Sequence, residues 1–313
     1  MSRYKFERRW AVILAGGDGT RLKALTRALT GDDRPKQFCP LISDTTLLNH
    51  TERRVALLLK PAQTFIVVTR THERFYRDQL KDRPRDRLLV QPENKGTAPA
   101  ILLSLLRIAQ LSSKAVVAFF PSDHYFTDDA LFMSQVRLAF ELVEAQESAI
   151  TLLGIKPDRS EVQYGWIEPV RSSEQGEESL LRVRRFWEKP SRNIAEQLMR
   201  KGSLWNTFVM IGHVKAFLEI ISRTLPDLHH TLSANVKAPG SPSEERLLGE
   251  LYSLIVSTNF SREVLELQPD RLSVLRLSNV GWTDLGEPQR VAATFGRTNY
   301  ILPGAVNYSL AAP

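Results

Sequence analysis

Gly16, Gly17 and Gly19 fall within four positions and are followed at once by Thr20 and Arg21. Glycine has no Cβ, so such a stretch can press its backbone against a ligand. Successive backbone N–H groups in a turn of this kind cradle phosphate oxygens, and an arginine beside them adds a planar, two-pronged cation. Lys36, in Pro35-Lys36-Gln37-Phe38, adds a compact point charge suited to a phosphate. Asp123, in Pro121-Ser122-Asp123-His124, is a carboxylate of the kind Mg²⁺ takes alongside substrate phosphates. Handling of a polyphosphate is the chemistry these residue types suit. A plain tight turn remains open for the glycines alone. They are not a P-loop, because no Gly-Lys-Ser/Thr ending follows, and Thr20-Arg21-Leu22 breaks the Gly-x-Gly-x-x-Gly spacing.

These residues need strands to hold them. Trp10–Ala15, Thr64–Thr69 and Ala115–Phe120 are short, continuously apolar runs, as expected of strands buried on both faces. The glycine cluster follows the first run and Asp123 the third. Ligands of open parallel sheets gather outside the carboxyl ends of the strands. Between the runs, Ala98, Ile101, Leu102, Leu105, Leu106 and Ala109 form a helical stripe behind Thr97, read as its N-cap. Phe132, Val136, Phe140 and Val143 form another. Strands alternating with amphipathic helices imply an α/β fold, a parallel sheet with helices on both faces.

The second half is more mixed. Strands are expected at Ala149–Ile155, Gln163–Pro169, Leu180–Trp187, Phe208–Gly212 and Ser273–Val280, and helices near Ala195–Arg200, Val214–Ser222 and Glu244–Ser257. Ser172–Glu178 reads as a hairpin or loop tip, and Ala238–Ser243 as a Pro/Gly/Ser loop.

Composition narrows the function classes. The 313 residues allow one large domain or two modest ones, and 42% apolar with 25% charged residues is ordinary for a globular chain. The net charge of +7 is compatible with phosphorylated ligands, acidic lipid or nucleic acid. Its cations are scattered among acids, as in Arg83-Pro84-Arg85-Asp86-Arg87, and no nucleic-acid-binding signature accompanies them. Neither a nucleic-acid partner nor a membrane is expected. The apolar run after the charged N-terminus, Ala11–Ala15, is too short for a signal segment or a span. The single cysteine, Cys39, can form no internal disulfide and has no histidine beside it, so it reads as a packing residue in a cytoplasmic protein. His229-His230 has no metal-ligand pattern.

Gly-Gly-x-Gly-Thr-Arg-Leu followed by Pro-Lys-Gln-Phe resembles the nucleotidyl transferase family, and within it most of all the mannose-1-phosphate guanylyltransferases. Further motifs of that family occur in order. Gln91-Pro92-Glu93-Asn94-Lys95-Gly96-Thr97-Ala98-Pro99-Ala100 is similar to its Glu-Pro…Asn-Thr-Ala-Pro-Ala segment. Tyr164-Gly165-Trp166-Ile167-Glu168 is similar to its Tyr-Gly-Tyr/Trp-Ile-Glu, and Phe186-Trp187-Glu188-Lys189-Pro190 to its Phe-x-Glu-Lys-Pro. Trp205-Asn206-Thr207 is similar to its Trp-Asn-Ser-Gly, with Phe208 in place of the glycine. Gly281-Trp282-Thr283-Asp284-Leu285-Gly286 is similar to its Gly-Trp-Ser-Asp-Val-Gly. Lys23-Ala24-Leu25-Thr26-Arg27 departs from the usual Trp-Pro-Leu-Ser-Arg, and a few extra residues around Thr30–Arg34 precede Pro35.

The resemblance implies a Rossmann-like α/β fold with a mixed, mostly parallel sheet. It implies one nucleotidyltransferase domain over about residues 1–297, with a nucleotide-binding half near 9–148, a sugar-phosphate-binding half near 149–297 and a short tail at 298–313. The tail leaves no room for a further isomerase domain or β-helix. The implied nucleotide residues are Leu14, Ala15, Gly16, Gly17, Gly19, Thr20, Arg21, Lys36, Gln91, Asn94, Thr97 and Ala98. Tyr164, Gly165, Glu188, Lys189 and Asn206 would hold the sugar phosphate. Asp123 and Asp284 would hold Mg²⁺, with Arg21, Lys36 and Asp123 the catalytic set. The implied substrates are GTP and mannose 1-phosphate, giving GDP-mannose for polysaccharide or other nucleotide-sugar pathways. Another sugar, such as a heptose or glucose 1-phosphate, another nucleobase, or a non-catalytic nucleotide-sugar sensor remain alternatives. Nothing in the residues sets whether the chain is a monomer or a homo-oligomer.

Overall fold

The computed structural model describes residues 8–145, 149–170, 180–234 and 242–298. The expected hairpin at Ser172–Glu178, residues Ala238–Ser241 of the expected loop, and the tail beyond Thr298 lie outside them.

The strands are β1 (Arg9–Leu14), β2 (Thr64–Thr69), β3 (Leu88–Gln91), β4 (Val116–Pro121), β5 (Ile150–Ile155), β6 (Gly165–Pro169), β7 (Leu181–Glu188), β8 (Leu204–His213) and β9 (Leu272–Leu277). They form one sheet in the order β3-β2-β1-β4-β8-β5-β9-β7-β6, and β8 also pairs with β6. The first four strands are mutually parallel, as the strand–helix alternation requires. Antiparallel β8 then joins β4 to β5, and beyond it only β5–β9 is parallel.

Side chains alternate across β1, and the alternation explains its unbroken apolar sequence. Trp10 and Val12 enter one core and Ala11 and Ile13 the other, all buried. The first core packs under the helices Thr97–Leu111 and Val214–Thr224; the second under Leu47–Ala56 and Asp129–Glu144. The strand Leu88–Gln91 carries no long apolar run and escapes the pattern. The helix expected from Glu244 runs Pro242–Leu254.

Thr97 is the first helical residue and not the cap; Gly96 occupies that position at φ 83° and ψ −172°. The Thr97 hydroxyl instead accepts the Phe260 N–H at 2.8 Å. This backbone region is open essentially to glycine alone. A Cβ on Gly96 would also collide with the Thr258 carbonyl. The close contact brings the segment after Leu254 down onto the start of the Thr97 helix. Gly31 is the useful contrast, since its φ is 78° but nothing stands within 4 Å of the added Cβ. In urea unfolding, Gly31→Ala should cost about 1 kcal/mol for its left-handed backbone, and Gly96→Ala about 3 kcal/mol. Equal losses would show that the close approach at Thr258 is not felt.

Candidate active site

The glycine loop leaves the carboxyl end of β1 and is held by its carbonyls. Leu14 O accepts from Ser122 Oγ at 2.7 Å and Gly16 O from Thr69 Oγ1 at 2.9 Å. The Gln37 amide donates to Ala15 O at 3.0 Å and Gly17 O at 2.7 Å. Fixing the carbonyls fixes the orientation of the peptide units. A Cβ on Gly16 would lie 2.7 Å from Gln91 Nε2 and 2.9 Å from Thr69 Oγ1, so a larger residue there would displace these side chains; Gly17 faces open space. Asp18 is tied to His72 at 3.1 Å and to Asn94 at 2.8 Å, joining this loop to the one after β3. Gln37 and His72 carry no motif of their own beyond the Pro-Lys-Gln-Phe run, so only their contacts reveal these roles.

A cavity of about 520 Å³ opens beside the loop, within the usual range of ligand pockets. Of the expected nucleotide residues, Leu14, Gly16, Gly17, Gln91, Asn94 and Thr97 line it, as does Asp123. Ala98 does not. It is fully buried and its N–H already donates to Thr258 O at 3.1 Å, so it packs behind the wall. Ala15, Gly19, Thr20 and Arg21 stand in the loop outside the lining. Gln91 is buried and accepts from the Tyr252 hydroxyl at 3.2 Å. The far wall was not foreseen: Ser257, Asn259, Arg262 and Glu263 come from the segment that Gly96 admits and from a turn of π-helix at Ser261–Leu265. π-turns of this kind concentrate at functional sites.

Lys36 organises the charged part. Its buried ammonium is 3.2 Å from Asp123 Oδ2 and donates to Asp284 O at 2.5 Å. One side chain thus joins the end of β4 to the Gly281–Gly286 loop. Asp284 Oδ1 accepts from Arg290 at 2.6 Å, the Tyr164 hydroxyl at 2.8 Å and Gly286 N at 2.9 Å, while Oδ2 stands 3.8 Å from the half-exposed Arg21. Burial opposes the charge of Asp284, but Lys36, His124 and Arg290 outweigh it and hold the carboxyl down at about 2. Asp284 is therefore ionised at neutral pH. Arg290 also reaches Glu161 at 2.5 Å and lies over the Tyr164 ring. It belongs to no quoted motif. His124 accepts from Trp282 Nε1 at 3.1 Å, in keeping with an orienting role.

The donor chemistry of the two aspartates suits Mg²⁺. Both are hard oxygen donors; Asp123 contacts the Lys36 ammonium, Asp284 feels its charge, and Asp284 keeps Oδ2 clear of the three donors on Oδ1. Among the described residues no group of three or more His, Cys, Asp and Glu could hold a metal, so substrate oxygens would have to complete the shell.

Of the residues expected to hold a sugar phosphate, Gly165, Glu188 and Asn206 come together. A Cβ on Gly165 would lie 3.2 Å from Glu188 Oε2 and 3.4 Å from Asn206 Cβ. Burial pushes the Glu188 carboxyl up, against the pull of Lys189 and Arg262. The Tyr164 hydroxyl, expected at the sugar phosphate, donates instead to Asp284 Oδ1 and holds that carboxylate in place. Lys189 is exposed and adopts φ 50° beside this group. Cys39 is buried and its thiol is pushed up to about 12, which leaves it inert.

Comparison with known proteins follows the same lines. The chain is 29% identical over 280 residues to the alginate biosynthesis protein AlgA of Pseudomonas fluorescens, covering 88% of this chain and 56% of that protein. It is 26% identical over 282 residues to a mannose-1-phosphate guanylyltransferase of Escherichia coli, covering 88% and 59%. The chain thus spans little more than half the length of these curated relatives. Among solved structures, the mannose-1-phosphate geranyltransferase of Thermus thermophilus superposes with a TM-score of 0.78 at 29% identity, covering 92% of this chain and 79% of that one. A putative glucose-1-phosphate thymidylyltransferase of Bacillus anthracis, at 16% identity and TM-score 0.58, covering 94% of this chain and 96% of that one, shares the fold. Residues 10–295 match the nucleotidyl transferase family, and the chain belongs to it.

Proposed function

We propose that the chain is a sugar-1-phosphate nucleotidyltransferase that joins mannose 1-phosphate to GTP, forming GDP-mannose and releasing pyrophosphate. The observation that supports the reading is the Lys36 cluster: a buried cation contacts the Asp123 carboxylate and the Asp284 carbonyl, and its charge acts on the Asp284 carboxylate, beside the glycine loop. The name of the Escherichia coli relative favours mannose 1-phosphate and GTP, and AlgA is named for alginate biosynthesis.

The reaction needs no general base. A phosphate monoester has a second pKa near ~6 and is largely ionised at neutral pH. Its oxygen attacks the α-phosphorus in line and pyrophosphate leaves. The obstacle is bringing two anions together, which calls for positioning and charge neutralisation. The glycine loop positions the triphosphate. Lys36 and Arg21 meet its oxygens, and Lys189 meets the sugar phosphate. Asp123 and Asp284 would hold Mg²⁺, which supplies positive charge against the triphosphate. Tyr164 and Arg290 keep Asp284 oriented for that task.

Pyrophosphate release across a matrix of nucleoside triphosphates and sugar 1-phosphates should be fastest with GTP and mannose 1-phosphate. Release with a different pair would retain the chemistry and replace the substrates. No release from folded, nucleotide-binding protein would sink the enzymatic reading in favour of a sensor. With the accepted pair, Lys36→Met should slow turnover by about 100-fold or more, as loss of an electrostatic stabiliser does. Asp123→Asn should raise the Mg²⁺ concentration needed for half-maximal rate about tenfold or more. An unchanged Mg²⁺ requirement would remove Asp123 from the metal assignment.

A further inference from the structure

Phe208 has φ 61°. A bulky side chain in the left-handed region is an outlier that persists only where its surroundings over-determine it. The cause is local. The β5–β8 ladder shifts register between Leu152/Met210 and Gly154/Asn206, so β8 bulges around Thr207 and Phe208. Three residues of β8, Thr207 to Val209, stand against Leu153 alone; glycine is the usual occupant of a left-handed position, and a bulge's effect is to re-aim a side chain.

Polar side chains hold the distortion. Asn206 Oδ1 accepts Phe208 N–H at 3.1 Å. Thr207 Oγ1 donates to Leu153 O at 2.7 Å and accepts Val209 N–H at 3.3 Å. Asn206 and Thr207 are both buried. The chain thus maintains a strained residue with two buried polar side chains, and that residue lines the cavity. Its position there is specific. Asn206 lies beside Gly165 and Glu188, and Arg262, which also lines the cavity, is felt by Glu188. Phe208 therefore stands where the cavity meets the Gly165–Glu188–Asn206 group.

We infer that Phe208 is a specificity-determining residue: its bulge-aimed side chain limits the room for the sugar of the sugar phosphate and favours unsubstituted hexose 1-phosphates over bulkier N-acetylhexosamine 1-phosphates. The assignment of the sugar to this end rests on the proposed nucleotidyltransferase reading. The role of Phe208 as the limiting wall rests on the bulge and the cavity.

The test uses the full chain as wild type, Phe208→Ala and Phe208→Gly. Urea unfolding comes first. Glycine relieves the backbone strain and alanine does not, so the glycine variant should have the higher midpoint of the two. An alanine variant as stable as the glycine variant would remove the strain on which the inference stands. Calorimetric binding of mannose 1-phosphate, glucose 1-phosphate and N-acetylglucosamine 1-phosphate, with GTP present, comes second. Both variants should narrow the preference for hexose over N-acetylhexosamine phosphate at least about tenfold. The ratio of kcat/KM for the same pairs should move with it. Binding does not require turnover, so a catalytically silent wild type would overturn the proposed function and leave this readout standing. The same binding profile in all three proteins, absence of binding included, would overturn the role of Phe208.

Discussion

One ammonium group ties the site together. Lys36 lies in a 3₁₀ turn near the start of the chain, yet its ammonium bridges the Asp123 carboxylate and the Asp284 carbonyl. A buried cation is costly unless paired and hydrogen-bonded. The end of β4 and the Gly281–Gly286 loop must therefore both be in place for Lys36 to be accommodated. The same holds for Asp284, whose buried carboxylate needs Arg290, Tyr164 and Gly286. Each charged group is stable only because the others are present. Chain segments 248 positions apart are bound into one electrostatic unit.

The sheet makes this arrangement rigid. β1 and β4 are adjacent and parallel, so the glycine loop and Asp123 leave neighbouring carboxyl ends. Antiparallel β8 then enters beside β4 and delivers Asn206 and Phe208 to the same edge. The parallel half supplies phosphate chemistry, and the antiparallel half brings the group around Gly165 and Glu188 up to it. Gly96 completes the enclosure by letting the segment after Leu254 close on the cavity.

Much of this was legible from residues alone. Continuous apolar runs located β1, β2 and β4, because both faces of those strands are buried. The glycine loop and Asp123 then followed from their places at strand ends. Asp284 is different, since its distance along the chain hides any pairing and only the resemblance linked it to Asp123. Thr97 looked like a cap because capping chemistry and a packing hydroxyl share the same residue type. Ala98 looked available to a nucleotide because burial cannot be read from one residue in a motif. Arg290, Arg262 and the Asp18–His72–Asn94 clasp left no signal. Their roles arise from contacts between distant segments, and charged residues in isolation read as solvated surface.

The central claim is that Lys36 and Asp123 act as one unit, and a double-mutant cycle on pyrophosphate release tests it. Lys36→Met, Asp123→Asn and the double variant would be compared with wild type at one fixed Mg²⁺ concentration, that of half-maximal wild-type rate, where each single variant shows its loss. Residues that act as a unit are strongly non-additive. The double variant should therefore be little slower than the worse single one, a coupling of about 1 kcal/mol or more. Losses that simply multiply would mean that the two groups work independently, and would contradict the account.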